Sequence, residues 1–342
     1  MRELIQKLSD LRGISGFEYR LNREIAKMFE PYADEVRLDA LGNVIAIKRS
    51  KKNNAPSVMI EAHCDEIGLM VTSITDEGFL TFANVGGVDG RILPSLQVIV
   101  HGKRDVFGVV GIKPSYLLEE GKSVPIKDMA IDTGLLIDEV KELISIGDSI
   151  TVAQSVGKLG TRQWSGKTLD DRASVAAVIA MMKKLKNEEP NVDVYAVAAV
   201  QEEVGCRGGK VAAYGINPTM AVAIDVTHGI TPDNSENAFE VGKGATISVG
   251  PNIHPKLAKR LFDTAKKHNI KAETEVDGGN TGTDAWEIQI AADGVPTALL
   301  SIPLKYMHTS VETLAISDVE AVSSLLWHFI KDLEEDVSWL SL

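Results

Sequence analysis

A chain of 342 residues is long enough for one large domain or two of ordinary size, and 44% hydrophobic with 25% charged residues is an ordinary globular balance. The formal net charge of -12 repels phosphate backbones, so no nucleic-acid partner is expected, and no apolar run reaches the ~18 residues that a membrane helix needs. Two cysteines, Cys64 and Cys206, and no signal-like apolar core after Met1 lead us to expect a reducing, cytoplasmic setting.

Leu4, Leu8 and Leu11, then Leu21, Ile25 and Phe29, recur at helical spacing and predict two short amphipathic helices separated by Gly13 and Gly16. Val36 to Ile47 alternates as two strands about the turn Ala40-Leu41-Gly42-Asn43. A buried strand from Ser57 to Ala62 stops at His63-Cys64-Asp65. From about residue 70 to about 160, short β-rich runs (Phe79 to Phe82, Gln97 to Val100, Phe107 to Val110, Ser149 to Val152) alternate with glycine, proline and charged turns. One helix fits there, at Asp138 to Ile144, and the pattern predicts a small all-β barrel or sandwich.

After Gly166 helices and strands alternate. A helix is predicted from Ala173 to Leu185, strands from Val194 to Val200 and from Met220 to Ile224, a helix from Pro255 to His268 and a strand from Thr297 to Ile302. The last helix opens at Ser317-Asp318-Val319-Glu320, a capping-box spacing, and runs to about Asp336. The fold class is therefore α/β: a mixed-sheet domain over residues 1–69 and 161–342, interrupted by an inserted small all-β, barrel-like domain at 70–160.

Polar clusters follow the predicted strands or open a helix: His63-Cys64-Asp65, Asp170-Asp171-Arg172, Gln201-Glu202-Glu203, Asp225 and His308. In α/β sheets, loops from several strands converge at the carboxyl ends, and ligands collect there. Two histidines and three carboxylates, His63, Asp170, Glu203, Asp225 and His308, are a nitrogen and oxygen donor set suited to zinc, cobalt or manganese. One shared carboxylate would give each of two ions three protein ligands, and Glu202 is a spare carboxylate for the proton of an activated water. Each cluster also has a plainer reading. Asp170-Asp171 could cap its helix, Glu202-Glu203 could be a solvated face, and Asp225 could start a turn. Strand alternation turns Cys64 into the core, and His228 reads as a loop histidine.

The ordered segments His63-Cys64-Asp65-Glu66-Ile67-Gly68, Leu169-Asp170-Asp171-Arg172, Gln201-Glu202-Glu203-Val204-Gly205, Ile224-Asp225 and Tyr306-Met307-His308-Thr309 resemble the M42 family of metallo-aminopeptidases. These are the tetrahedral aminopeptidases, also labelled endoglucanase M or cellulase M. The resemblance spans the chain, including the inserted β segment. It implies a dinuclear-metallopeptidase domain with two divalent metal ions per subunit, zinc or cobalt. His63 and Asp225 would hold one, Glu203 and His308 the other, and Asp170 would bridge, with Asp171 as the alternative. It also implies a cis Asp170–Asp171 peptide, Asp65 as the carboxylate orienting His63, and Glu202 as general base for a metal-bridging hydroxide that attacks N-terminal peptide bonds.

Gly278 to Ala285 resembles the family's glycine-rich loop near the substrate, making Gly282, Thr283 and Asp284 candidate substrate-binding residues. Asp284 could equally cap a helix, and Trp286 departs from the small residue common there. The expected partners are peptide substrates and further copies of the chain: a homo-oligomer of dimers, joined through the inserted domain, assembling into a dodecamer. A glycoside hydrolase, as the older label suggests, or a catalytically silent scaffold of the same fold are the alternatives.

Overall fold

The computed structural model describes residues 1–112, 114, 116 and 124–341. Helices α1 (Arg2–Asp10) and α2 (Tyr19–Phe29) bury Ile5, Leu8, Leu21, Ile25 and Phe29, one apolar stripe each. Strands β1 (Glu35–Leu38) and β2 (Val44–Lys48) pair antiparallel around Asp39, whose carboxylate accepts the N–H groups of Leu41, Gly42 and Asn43. Strand β3 (Ser57–His63) is buried along almost its whole length, as a strand covered on both faces must be.

The chain then leaves this sheet. Strands β4 (Gly68–Ile74), β5 (Leu80–Val85), β6 (Gln97–His101), β7 (Asp105–Val110), β8 (Ile131–Asp132) and β9 (Ser149–Val152) close into a barrel in the order β4-β5-β8-β7-β6-β9. Every pair in it is antiparallel, and α3 (Ile137–Leu143) lies between β8 and β9. Closure excludes the sandwich that the same alternation allowed. Leu69, Val71, Leu80, Val98, Val100 and Ile150 fill a core separate from the main one.

The chain returns through β10 (Gly157–Leu159) and β11 (Gln163–Gly166), then α4 (Leu169–Leu185), β12 (Asp193–Ala199), α5 (Arg207–Ile216) and β13 (Met220–His228). The rest is β14 (Ala245–Val249), α6 (Pro255–Lys267), β15 (Ala272–Val276), α7 (Asp284–Ile288), β16 (Thr297–Leu304), β17 (Glu312–Ala315) and α8 (Ile316–Asp332). The main sheet has the order β1-β2-β12-β3-β13-β16-β14-β15, and β10, β11 and β17 form a small second sheet. Strands β12, β3, β13 and β16 are mutually parallel, so their carboxyl ends share one edge. No described helix is long and apolar enough to cross a membrane.

Three expectations need correction. Strand β13 runs on to His228, so Asp225 lies within it, because Val226 and Thr227 continue the β-branched run and pair with β16. Strand β16 continues through Pro303: its pairing with β14 is confined to Leu300 and Ser301, so a missing N–H beyond them breaks no ladder on that side. There is no capping box at Ser317. Strand β17 runs straight into α8, and Asp318 is buried, accepting the N–H groups of Gly242 (2.6 Å) and Gly244 (2.9 Å) from a distant loop.

Candidate active site

The sheet brings five side chains distant in sequence to one crevice of about 850 Å³: His63, Asp170, Glu203, Asp225 and His308 all line it. His63 ends β3, Asp225 projects from neighbouring β13, and Asp170 stands where α4 begins. Asp170 faces both histidines, with Oδ1 3.2 Å from His63 Nε2 and Oδ2 3.4 Å from His308 Nε2. His63 Nε2 also lies 3.8 Å from Asp225 Oδ1, and His308 Nε2 lies 3.2 Å from Glu203 Oε2. One carboxylate thus sits between a His63–Asp225 half and a His308–Glu203 half.

Asp171 is fully buried, and neither of its oxygens meets a hydrogen-bond donor. It lies on the His63–Asp225 side, while Asp170 reaches both sides. The peptide between Asp170 and Asp171 is cis, and both residues leave helical geometry although α4 continues after them.

Buried anchors fix this arrangement. Asp65 lies with Oδ1 3.4 Å from His63 Nδ1 and accepts the backbone N–H groups of Glu202 (3.0 Å) and Glu203 (3.2 Å) and the hydroxyl of Ser15. One carboxylate therefore orients the histidine and grips the turn carrying both glutamates. Gln201 enters that turn in left-handed geometry (φ 57°), its N–H held by Glu18 Oε1 at 3.1 Å. This lets adjacent Glu202 and Glu203 point apart. Glu312, also buried, accepts the N–H groups of Asp170 and His308, both at 3.1 Å. The barrel contributes Gly87, where a Cβ would come within 2.9 Å of the His308 ring, so only glycine fits without displacing it.

Glu202 lines the crevice, with Oε2 3.9 Å from His63 Nε2 and Oε1 accepting from the Cys206 thiol at 3.2 Å. Cys64 is buried in the core, and its thiol donates to Asn22. His228 is exposed at the end of β13 and lines the outer crevice. Gly282 and Thr283 line the crevice as well, but Asp284 does not. It is buried beside Glu61, and Thr283, not Asp284, holds the N-cap position of α7. Trp286 is half-buried and lies outside the crevice lining.

Glu18, Glu61, Ser15 and Glu312 were not foreseen. Their roles rest on backbone donors or carboxyls far away in sequence, and no local spacing marks such contacts.

Electrostatically the crevice is overloaded with carboxylates. Among the described lining residues there is no lysine or arginine. Burial, followed by the repulsion of neighbouring acids, pushes Glu202 up to about 9 and raises Asp225 and Asp171 well above the carboxylate range. Burial takes Asp284 to about 6, and burial together with Asp284 drives Glu61 well upward. Hydrogen bonds to Asp170 and Glu203 lift His308 to about 11. Burial opposes charge on His63, yet Asp170, Asp65, Glu202 and Asp225 together raise it.

Such a deficit of positive charge at depth is what a divalent cation would relieve. The donors fit one: ligand atoms of His63, Asp170 and Glu203 lie within 4.8 Å of one another, as do those of His63, Asp171 and Asp225.

Comparison with known proteins agrees with this geometry. Residues 42–325 match the family described as M42 glutamyl aminopeptidase. The chain is 37% identical to the lysyl aminopeptidase of Pyrococcus furiosus over 341 residues, covering 97% of each. An aminopeptidase structure from Desulfurococcus kamchatkensis superposes with a TM-score of 0.92 at 35% identity, over 99% of this chain and 96% of that one. The TET1 peptidase of Pyrococcus horikoshii, which can assemble into a tetrahedron or a large octahedral shell, gives 0.87 at 34%, over 97% and 99%. The chain belongs to the M42 aminopeptidase family and is a hydrolase of peptide bonds.

Proposed function

We propose that this chain removes N-terminal residues from peptides with two divalent cations, zinc or cobalt, and with Glu202 as general base. His63 and Asp225 would hold one cation, His308 and Glu203 the other, and Asp170 both. The observation that carries this reading is the position of Asp170, with one oxygen toward each histidine. The same observation favours it over Asp171 as the bridge. When bound, the cations lower the pKa of a neighbouring water toward ~7, polarise the scissile carbonyl and bring down the raised pKa of Glu202.

Glu202 takes a proton from the attacking water as the C–O bond forms and returns it to the departing amine as the C–N bond breaks. Asp65 supports this in two ways: it keeps the His63 ring in place and fixes the backbone from which Glu202 projects. A glycosidase would leave His63 and His308 without a role. The test is Glu202→Gln, assayed for bound metal and for turnover of an aminoacyl arylamide. Metal content should match wild type while kcat falls about 10²–10⁴-fold. Turnover at the wild-type rate would remove Glu202 from the mechanism.

We further infer that residues 70–160 form the dimer contact and that dimers build a closed dodecameric shell around the active sites. Phe107, Val109 and Ile112 are exposed on the barrel, which supports this, and the shells formed by the similar TET1 peptidase point the same way. Light scattering on the purified chain, before and after Phe107→Asp, measures it. A monomer at all concentrations would overturn it. Cys64 and Cys206 are both unbridged, in keeping with a cytoplasmic site of action.

A further inference from the structure

Asp225, Ser301 and Thr246 stand in register across β13, β16 and β14, a row leading away from the catalytic cluster toward the sheet edge. Beyond that row stands Glu275, from edge strand β15, with its carboxylate over the crevice. It is held from two sides: Oε2 accepts the Thr246 hydroxyl at 2.6 Å, and Oε1 accepts the Thr227 hydroxyl. No lysine or arginine of the described lining residues faces it. Asp277, next but one along the chain, also lines the crevice, and its Oδ2 is buried without a hydrogen-bond partner.

Distance gives this fixed carboxylate a meaning. Thr227 lies two residues along β13 from Asp225, which is about 7 Å, and Thr246 lies two strands across, about 10 Å. A carboxylate bonded to both hydroxyls therefore sits about one side-chain length from the cluster. A lysine side chain spans about 6 Å from Cα to Nζ at standard bond lengths, and a hydrogen bond adds about 3 Å.

We infer that Glu275 is a specificity-determining residue that receives the side-chain cation of a lysine or arginine at the N-terminus of the peptide. This rests on the aminopeptidase reading above. The residue to be removed places its reacting carbonyl at the cluster and its side chain along the Asp225–Thr246 row. An ammonium or guanidinium there gains a charge-assisted hydrogen bond to a carboxylate already oriented by two hydroxyls. A glutamate side chain in the same place meets Glu275 and Asp277 with no counter-ion. A neutral side chain of equal length fits but gains no charge-assisted hydrogen bond from Glu275.

The experiment compares kcat/KM for lysyl, arginyl, norleucyl and glutamyl arylamides on the metal-loaded full chain, on Glu275→Gln and on Glu275→Lys. Wild type should favour lysyl over glutamyl at least about 100-fold. Glu275→Gln should lower the lysyl-to-norleucyl ratio about ten-fold or more, and Glu275→Lys should shift preference toward glutamyl. A glutamyl preference in wild type, or the same ratio in all three proteins, would overturn the inference and leave the aminopeptidase reading standing. Inactivity of wild type on every substrate would overturn both.

Discussion

Two groups of buried carboxylates lie side by side in this molecule, and they are treated in opposite ways. Glu66, three residues after His63, is buried with Lys167 Nζ at 2.6 Å and Arg172 Nη2 at 3.1 Å. Arg172 is itself fully buried and donates to the carbonyls of Leu8, Leu11, Gly13 and Cys64. Burial alone would raise Glu66, but the two cations outweigh it and hold its carboxyl below the usual range. A few residues away, Asp171, Glu202 and Asp225 sit at similar depth without a lysine or arginine, and their carboxyls are driven upward. The chain can neutralise a buried acid where structure requires it. The crevice it leaves in deficit is therefore the place prepared for cations from outside.

The sharpest way to break this comparison is at Glu66. Glu66→Gln leaves Lys167 and Arg172 buried against a neutral amide, and the loss of one partner of such a cluster costs about 3–5 kcal/mol. The urea midpoint of the purified variant measures it. A loss under about 1 kcal/mol would mean that Glu66 is not a structural pair and that the contrast with the crevice is empty. A smaller effect is expected from the crevice. Chelation should lower stability by about 2.7 kcal/mol if the cation had been at 100 times its Kd, and zinc or cobalt should restore it. An identical midpoint before and after chelation would show that the acidic cluster folds without needing cations.

Much of this was readable in the amino-acid order, and what was not has identifiable causes. The period-two runs that mark β6, β7 and β9 are also the walls of the barrel, since each strand there has one face inward. Strand β4 escaped notice because a bulge between Val71 and Ser73 breaks its alternation. Helix α5 escaped because Gly208 and Gly209 stand in its first turn. They are there for closeness: a Cβ on Gly209 would lie 2.6 Å from the Asp284 carboxyl carbon, which no helix propensity anticipates. Strand β14 and the edge strand β15 beside it carry Thr246, Ser248, Thr274 and Glu275 in place of a continuous apolar run, so they read as loop.

At the site, the residues that converge were legible because each stands near the end of an apolar strand or opens a helix. Their supports were not. Glu18 holds the N–H of Gln201, and Glu312 holds those of Asp170 and His308, pairings that only the folded chain creates.

The pH dependence of stability tests the same contrast at the smallest scale, below about 1.4 kcal/mol per pH unit for each proton exchanged. Glu202, raised to about 9, and Glu18, raised to about 7 by burial and by Asp65, bind their protons more tightly when folded than when unfolded. Their contribution is fully present below the ordinary glutamate value of 4.5 and is lost as pH climbs through those folded values. His308, raised to about 11 by Asp170 and Glu203, acts in the same direction above its ordinary 6.5. Glu66 acts in the opposite direction: its depressed carboxyl contributes above the ordinary value and fails only on acidification. Between about pH 5 and 9, then, the raised groups of the crevice and its support Glu18 should respond, and Glu66 should not. The chelated protein should lose thermal stability steadily as pH rises across that window. The loaded protein should show a flatter profile, because cations occupy the place that protons otherwise hold. A flat profile for the chelated protein would mean that the crevice carboxylates are not short of positive charge, and the difference between the two buried groups would disappear.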